Sequence, residues 1–214
     1  MNTKTLYSTI LIIFLCYHCA AQESLMFIQL PKPDTTGGKP LMHVLKERKT
    51  SRSFSPEKLS RQVLSNLLWA AFGINRPDGH RTAPSAMNWQ EIDIYAAMEE
   101  GLYLYDATTH SLNLVLKEDI RANTGTQSFV KDAPVNLVYV ADYSKTKRAS
   151  EDDKNLYSGA DCGFIAQNVY LYCASEGLAC VVRGSVDKFV LGKTMNLRPE
   201  QKIILAQTVG YPSK

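Results

Sequence analysis

The stretch YSGADCGFIAQNVYLYCASEGLACVVRG, residues 157–184, decides the fold, because it joins a long helix to a strand through a single glycine. Ile165, Val169 and Cys173 recur at helical spacing, which predicts one buried helical face. Gly177 ends this pattern, as glycine commonly does after a last helical turn. The apolar run LACVVRG then predicts a strand. This helix and strand are expected to pack into the same hydrophobic core.

The segments around this unit predict an antiparallel sheet. Ile92, Ile94 and Ala96 alternate with polar residues, and the runs GLYLYD and SLNLVL follow with short turns between them. APVNLVYVAD, residues 133–142, is almost continuously apolar and predicts a buried central strand. QKIILAQTVGYP predicts the last strand. The predicted fold class is therefore α+β, with a mostly antiparallel central sheet flanked by helices.

Other segments predict shorter helices and loops. PLMHVLKER predicts a helix that Pro40 opens. A second helix is predicted with Ser55 as its N-cap, Pro56 in its first turn and Gly73 at its end. SVDKFVLGKTMN predicts a short helix, and EDIRANTGTQSFVKD predicts a helix and a loop. Residues 22–38 are interpreted as a polar lead-in that contains proline and glycine, and KRASEDDKN is interpreted as a solvated charge run.

Size and charge restrict the class of protein. A chain of 214 residues is long enough for one domain with a sizeable core. The formal net charge is +3 and no long basic run is present, which argues against a general nucleic-acid binder. The loop INRPDGHRTAPSAMNWQ, residues 74–90, is dense in proline, glycine and asparagine. Long loops of this kind in compact domains often carry function.

The amino terminus predicts export. LYSTILIIFLCYHCAAQ has the form of a secretory signal peptide, with cleavage after Ala21, and leaves residues 22–214 as the functional domain. Its apolar core of about ten residues is too short to span a membrane, so no stable membrane insertion is expected. The expected location is periplasmic. An uncleaved anchor, or a lipoprotein lipidated at Cys16 or Cys19, is the alternative.

The chain lacks the common catalytic motifs. It has no nucleophile elbow, no zinc-binding HExxH and no P-loop, so an enzyme built from it would take its chemistry from a cofactor. No histidine or cysteine spacing predicts a metal site. Cys162, Cys173 and Cys180 allow one disulfide in an oxidising compartment and require none.

The segment ERKTSRSF, residues 47–54, is a candidate anion site. Arg48, Lys49 and Arg52 place three cations within five residues, with the hydroxyls of Thr50 and Ser51 between them. Charge-assisted hydrogen bonds from such groups suit a phosphate. The alternative is a solvated helix end whose arginine caps carbonyl groups.

Five segments in order resemble the FMN-dependent nitroreductase family over nearly all of the mature chain. They are RKTSRSF, PSAMNWQ, QSFVKDAPVNLVYVAD, AQNVYLYCASEGLACVVRG and TVGYP. LLWAAFGINRPDGHRTAPSA and EGLYLYDATTHSLNLVL are similar to the branch of the azoline (thiazole/oxazole) dehydrogenases. That branch uses a Lys-Tyr pair as catalytic residues, and the dipeptide does not occur here. The resemblance therefore implies the fold of this branch and not its substrate.

The resemblance implies a clamp for the ribityl phosphate of FMN. Arg48, Lys49 and Arg52 supply its cations, and Thr50 is a hydroxyl donor. Lys214 follows Gly-Tyr-Pro closely, where the family supplies further phosphate cations.

The resemblance also assigns the flavin ring to two loops and a strand end. Gln127 stands where an amide commonly contacts the pyrimidine edge. Val182, Arg183 and Gly184 match the strand end where a backbone N–H, that of Gly184, meets flavin N5 and stabilises the reduced ring. The residues expected to line the ring from the other subunit are Pro84, Ser85, Ala86 and Asn88. The alternatives are that Ser85 and Asn88 are plain turn residues and that Gly184 is a bulge or a strand end.

The function implied by the family is an FMN-dependent oxidoreductase that works as a homodimer. Its ping-pong cycle would carry a hydride or electrons from a reductant such as NAD(P)H to a nitro, quinone or similar small-molecule acceptor. A non-catalytic flavin-binding protein or electron carrier would use the same motifs, and an exported scaffold with a degenerate pocket is a third class.

Overall fold

The computed structural model describes residues 27–146 and 148–213. The predicted signal peptide 1–21 with its cleavage site, and Lys214, lie outside the described residues. The described strands are β1 Phe27–Gln29, β2 Ile92–Met98, β3 Gly101–Asp106, β4 Ser111–Leu116, β5 Val135–Asp142, β6 Ala179–Arg183 and β7 Gln201–Gly210. The described α-helices are α1 Leu41–Glu47, α2 Arg61–Phe72, α3 Glu151–Glu176 and α4 Lys188–Thr194.

The strands form one sheet in the order β1-β4-β3-β2-β5-β7-β6, and each described pair is antiparallel. Strand β5 is buried along its whole length, as the apolar run predicts. Leu137 and Tyr139 pack with α2 and α3 on one face, whereas Val138 and Val140 pack with Leu191 of α4 on the other. This confirms the predicted α+β architecture, with helices on both faces of an antiparallel sheet.

Helix α3 is longer than its apolar pattern predicts. Ser150 is its N-cap, since its hydroxyl accepts a hydrogen bond from the amide of Asp153 at 3.1 Å. Glu151, Asp152 and Asp153 occupy the first turn, where negative charge is favourable beside the exposed backbone N–H groups. Residues 151–155 of the charged run are mostly exposed, as predicted, but they form the start of α3 instead of preceding it. Gly177 ends the helix in the left-handed conformation, as predicted.

Helix α2 begins later than predicted. Its N-cap is Ser60, whose hydroxyl accepts a hydrogen bond from the Val63 amide at 3.2 Å. The Ser55 amide instead donates to the carbonyl of Tyr211 at 2.8 Å, which ties this segment to the carboxyl-terminal end of the sheet. The chain is free to start a helix only after it leaves that contact, so the predicted cap at Ser55 is wrong.

Two further segments differ from their predictions. The polar lead-in contains β1, whose Ile28 pairs with Leu112 of β4. Residues 118–132 contain two short 3-10 helices, Arg121–Thr124 and Ser128–Lys131, in place of one longer helix. Among the described residues, no helix has both the length and the apolar character needed to cross a membrane.

Candidate functional site

The cations of the predicted phosphate clamp lie in an extended segment, residues 48–54, called here the clamp segment. The Ser51 amide donates to the carbonyl of Cys180 in β6 at 2.9 Å, and Phe54 forms a β-bridge with Pro212. The side-chain hydroxyls of Ser53 and Ser213 are also hydrogen-bonded. These contacts fix the clamp segment between β6 and the end of the described chain.

The three cations of the clamp segment are not neutralised by described carboxylates. None of the described ion pairs includes Arg48, Lys49 or Arg52. The neighbouring carboxylate of Glu47 binds Lys39 instead, at 2.7 Å. Lys49 and Arg52 are exposed, and Arg48 is half-buried. The segment therefore presents positive charge that a bound anion can use.

Tyr170 connects the clamp segment to the strand end. Its hydroxyl lies 3.0 Å from the Thr50 hydroxyl and accepts a hydrogen bond from the Val182 amide at 2.9 Å. The guanidinium of Arg48 lies over the Tyr170 ring, 5.3 Å from its centre. Its place on the apolar face of α3 predicts only a core residue, so the sequence alone missed this role. No local signal could have shown it, because the partners of Tyr170 come from segments distant in the chain.

A cavity of about 450 Å³ opens beside this junction. Tyr170 and Cys173 of α3 form part of its wall, and Lys49 and Ser51 of the clamp segment form another. A cationic rim over an aromatic wall suits a ligand that carries both a phosphate and an apolar part.

The end of β6 is open to ligands at Gly184. This residue is exposed, and a Cβ placed on it would have the Leu205 side chain as its nearest neighbour, at 3.8 Å. Val182, two positions earlier, is half-buried and packs toward α3. The described chain therefore leaves room at Gly184 for a flat ring to approach the backbone.

Arg183 lies inside the protein and not on its surface. It is 5% exposed, and its guanidinium donates to Thr124 O at 2.7 Å, Thr208 Oγ1 at 3.1 Å and Asn136 Oδ1 at 3.2 Å. Burial among these neutral acceptors lowers its pKa to about 10. Gln127 Oε1 lies 3.4 Å from Nη1 of the same guanidinium. The predicted site residues Gln127 and Arg183 are thus brought together on the face of the sheet opposite α3.

The predicted flavin-lining residues lie in residues 84–90, called here the ring loop. The amide of Ala86 donates to Asp161 Oδ2 of α3 at 2.8 Å, and the amide of Gln90 donates to Ser85 Oγ at 2.8 Å. Met87, Asn88 and Gln90 all have positive φ, with values of 50°, 54° and 48°. Left-handed conformations of this kind are unfavourable for residues other than glycine and concentrate at functional sites.

The outer side of the ring loop is aromatic. Pro84, Met87 and Asn88 are exposed. Trp89 packs edge-to-face on Tyr157 of α3, with ring centres 5.9 Å apart. A cavity of about 770 Å³ lies against this pair. Trp89 therefore packs the ring loop against α3 of the same chain.

Two buried acidic side chains, those of Glu91 and Asp161, lie close together next to the ring loop. Glu91 is fully buried, and its Oε2 accepts a hydrogen bond from Ser85 Oγ at 3.2 Å. Glu91 Oε1 and the hydroxyl of Ser158 are both buried without a hydrogen-bond partner among the described residues. Burial raises the pKa of Glu91, and the nearby charge of Asp161 raises it further. No motif in the sequence predicts a role for Glu91 or Asp161.

The clamp segment and the ring loop are held by different parts of α3. Asp161 binds the ring loop and Tyr170 binds the clamp segment. Nine residues separate these two anchors, which corresponds to about 13 Å along a helix axis. The ring loop and the clamp segment are therefore displaced from each other along α3.

A second polar cluster resembles a catalytic triad but is structural. His110 Nε2 lies 2.7 Å from Ser65 Oγ, and His110 Nδ1 lies 3.0 Å from the hydroxyl of Tyr105. Ser65 is fully buried, and its hydroxyl donates to the carbonyl of Pro31 at 2.6 Å. A hydroxyl committed to a backbone carbonyl is not available as a nucleophile, so this cluster fixes residue 31 on α2.

The described thiols also lack the character of nucleophiles. Cys162, Cys173 and Cys180 are buried and free. Burial raises the pKa of Cys162 to about 12 and that of Cys173 well above its ordinary range. Among residues 27–146 and 148–213, no cluster of histidine, cysteine and carboxylate side chains could hold a metal ion.

The described residues fit an FMN group. Unneutralised cations and the Thr50 hydroxyl suit its phosphate, and the free space at Gly184 suits the approach of its ring to the backbone. Tyr170 links the clamp segment to β6, through its hydrogen bonds with Thr50 and with the Val182 amide two residues before Gly184.

Comparisons with known proteins identify relatives of this chain. The sequence profile of the Nitroreductase family matches residues 45–211, which include the clamp segment, the ring loop and the end of β6. A protein of Methanocaldococcus jannaschii named as a candidate nitroreductase is 33% identical over 170 residues, which cover 75% of this chain and 84% of the relative.

Solved structures share the fold. A crystal structure of a candidate nitroreductase from Ralstonia eutropha has a TM-score of 0.85 and 43% identity, and the match covers 88% of this chain and 90% of that one. A chain of the Escherichia coli microcin synthetase McbBCD complex has a TM-score of 0.70 over 97% of this chain and 94% of its own, at 20% identity. That second likeness concerns the fold alone. The profile match and the similarity to the Methanocaldococcus protein together show that this chain belongs to the Nitroreductase family.

Proposed function

We propose that this protein is an FMN-dependent oxidoreductase that moves a hydride or an electron pair from a reductant to a small-molecule acceptor. Family membership supports flavin-dependent redox chemistry in general. The observation that carries the proposal for FMN is the clamp segment, whose three cations remain unneutralised by described carboxylates beside the open end of β6.

Each part of the site has a physical task in this proposal. The bound flavin supplies the redox chemistry. Arg48, Lys49 and Arg52 hold the phosphate through charge-assisted hydrogen bonds, and Thr50 is oriented by Tyr170. The backbone N–H of Gly184 is the group that would stabilise charge near N5 in the reduced state. Lys214 is proposed as a further phosphate contact.

We propose that the active form is a homodimer with one flavin site at each end of the interface. Exposed Leu156 and Phe164 lie with Gly159, Ala160 and Gly163 on one stripe of α3. An unpartnered apolar stripe with small residues suits close packing against a second copy. The displacement of the ring loop from the clamp segment supports a site completed by Pro84, Ser85, Ala86 and Asn88 of the second copy.

The proposed reductant is a nicotinamide such as NAD(P)H, and the proposed acceptors are nitro compounds, quinones or similar molecules, used in a ping-pong cycle. The absence of the Lys-Tyr pair from the sequence argues against azoline oxidation in a peptide, although the fold of the microcin synthetase chain is shared. The proposed location is outside the cytoplasm, because of the predicted signal peptide 1–21.

Flavin binding is the direct test. Titration of the apoprotein with FMN, followed by quenching of flavin fluorescence, gives the Kd of the wild type and of Arg52→Ala. Loss of one charge-assisted bond of about 1.5–3 kcal/mol should raise the Kd roughly 10-fold to 100-fold. Arg61→Ala is the matched control, because Arg61 is exposed on α2 and lies outside the clamp segment. Equal Kd values for Arg52→Ala and the wild type would refute the clamp.

Turnover separates the enzyme from a non-catalytic flavin carrier. The yellow protein, supplied with NAD(P)H and a quinone or a nitroaromatic compound, should consume the nicotinamide through many cycles. A carrier would bind FMN with the same dependence on Arg52 and would show no steady-state consumption with either acceptor.

A further inference from the structure

We propose that Glu91 is a buried proton donor that acts through the Ser85 hydroxyl on the acceptor bound over the ring loop. This inference rests on the proposed function and assigns a proton source to it. Reduction of a quinone or a nitro group by a hydride adds two electrons and leaves negative charge on an oxygen, so a proton must follow.

The geometry supplies a short path from the interior to the ring loop. Glu91 is fully buried, and Ser85 Oγ is 3.2 Å from its Oε2. Ser85 is half-buried and lies in the ring loop beside the exposed Pro84. The Ser85 oxygen also accepts the Gln90 amide hydrogen bond at 2.8 Å, which fixes its position. The hydroxyl proton of Ser85 can therefore point either at Glu91 or out of the loop.

The surroundings of Glu91 favour a neutral carboxylic acid. Its Oε1 has no hydrogen-bond partner among the described residues, and a buried charge left unpaired is costly. Asp161 and Cys162 of α3 and Tyr143 are ionisable groups close to it, and none of them is a cation. Cations near these groups include Lys145, which is paired with Asp93 at 2.8 Å, and Lys154, which lies over the Tyr143 ring. Asp161 is held by the Ala86 amide, so its carboxylate stays in place and opposes ionisation of Glu91.

The proposed step conserves protons and electrons. The O–H bond of Ser85 breaks as its proton passes to the oxygen of the reduced acceptor. The O–H bond of Glu91 then breaks and a new O–H bond forms on Ser85, which leaves Glu91 as a carboxylate. A proton from water restores Glu91 before the next cycle. The electrons come only from the reductant, and no side chain changes oxidation state.

Glu91→Gln tests the step, because the amide keeps the shape of the side chain and cannot release a proton. The rate of reoxidation of the reduced flavin by a quinone, measured in a stopped-flow instrument, should fall about 100-fold at neutral pH. In the wild type the rate should decrease as pH rises through the raised pKa of Glu91, because only the protonated form donates. In Glu91→Gln this dependence should be absent. An unchanged rate and pH profile would overturn the proposal.

A second variant and a control separate the proton path from protein folding. Ser85→Ala breaks the path but keeps Glu91, so it should also be slow while remaining folded. Glu118→Gln makes the same chemical change at an exposed position and should match the wild type. Wild-type rates in Ser85→Ala would overturn the proposed route through the hydroxyl.

Infrared spectroscopy tests the protonation state without flavin. The apoprotein at neutral pH should show the carbonyl stretch of a buried neutral carboxyl group, and the band should be missing from Glu91→Gln and retained in Ser85→Ala. Absence of the band from the wild type would overturn the proposal even if the protein binds FMN. A protein that never binds FMN would overturn the proposed function and this inference together, whereas a yellow Glu91→Gln variant with normal kinetics would overturn only the inference.

Discussion

Gly125→Ala should strongly destabilise the protein, because Gly125 touches the buried guanidinium of Arg183. A Cβ on Gly125 would lie 1.8 Å from Arg183 Nη1 and 2.8 Å from Gln127 Oε1. Real Cβ contacts are essentially never shorter than 3.0 Å, so Nη1 would have to retreat by at least 1.2 Å, the difference between these two distances. Its hydrogen bond to Thr124 O, now 2.7 Å long, would then be lost.

The magnitude follows from two contributions. Loss of a hydrogen bond from a charged group to a buried carbonyl costs about 1.5–3 kcal/mol. Overpacking of a filled interior by one methyl group costs about 1–3 kcal/mol more. The free energy of unfolding should therefore decrease by roughly 3–5 kcal/mol. With a urea m-value of about 2 kcal/mol/M, the unfolding midpoint should decrease by roughly 2 M.

Urea unfolding at a fixed protein concentration measures this change, and two further variants control it. Gly192→Ala makes the same substitution in α4, where the nearest neighbour of the new Cβ is Leu197 Cδ1 at 4.0 Å. It should stabilise the protein by about 0.5–1 kcal/mol through helix propensity. In a protein that already carries Arg183→Met, Gly125→Ala should lower the free energy of unfolding by less than it does in the wild type, because the clashing nitrogen is gone. An equal cost in both backgrounds would refute the assignment to Arg183.

Two further predictions concern the ring loop and the α3 stripe. Met87→Gly should raise the free energy of unfolding by about 0.5–1 kcal/mol by relieving the left-handed backbone, since the Met87 side chain is 82% exposed. Met42→Gly, at an exposed position inside α1, should lower the free energy of unfolding. A decrease in Met87→Gly as well would show that the backbone of Met87 is not strained. Gly163→Arg should leave each subunit folded, because nothing lies within 4 Å of the new Cβ, and should dissociate the proposed dimer in analytical ultracentrifugation. A Gly163→Arg protein that remains a dimer would refute the placement of α3 at the interface.

Local sequence patterns predicted most of the sheet, because the residues that define each strand are neighbours in the chain. Apolar residues fall on both faces of β5, and Gly177 ends α3 through a conformation that glycine adopts at low cost. The start of α2 is different. Ser55 and Ser60 are both acceptable N-caps from the sequence, and the choice depends on a contact between Ser55 and Tyr211. A contact between residues so distant in the chain leaves no trace in a local pattern.

The candidate site likewise contains some residues that the sequence predicts and others that it does not. The cations of the clamp segment and the ring loop are visible as motifs because their residue types are unusual and close together. Tyr170 and Glu91 are not visible, since each sits in an ordinary amphipathic or alternating pattern and acquires its role only from partners contributed by other elements. The sequence predicted the strand that ends at Arg183, but the burial of this side chain behind the sheet depends on Gly125 leaving space for it.

The position of the ring loop on α3 gives a physical reason for a two-copy site. Asp161 anchors the loop in the first half of the helix, whereas Tyr170 anchors the clamp segment in its second half. Two copies of α3 packed antiparallel across a twofold axis bring the first half of one helix beside the second half of the other. The ring loop, which Asp161 anchors next to the stripe, would then lie at the interface between the copies, and the small residues of the stripe, Gly159, Ala160 and Gly163, would set how closely the two helices approach. Dimer contact and flavin binding would in that case depend on the same helix, so a substitution such as Gly163→Arg should weaken both together although it touches no flavin-binding residue.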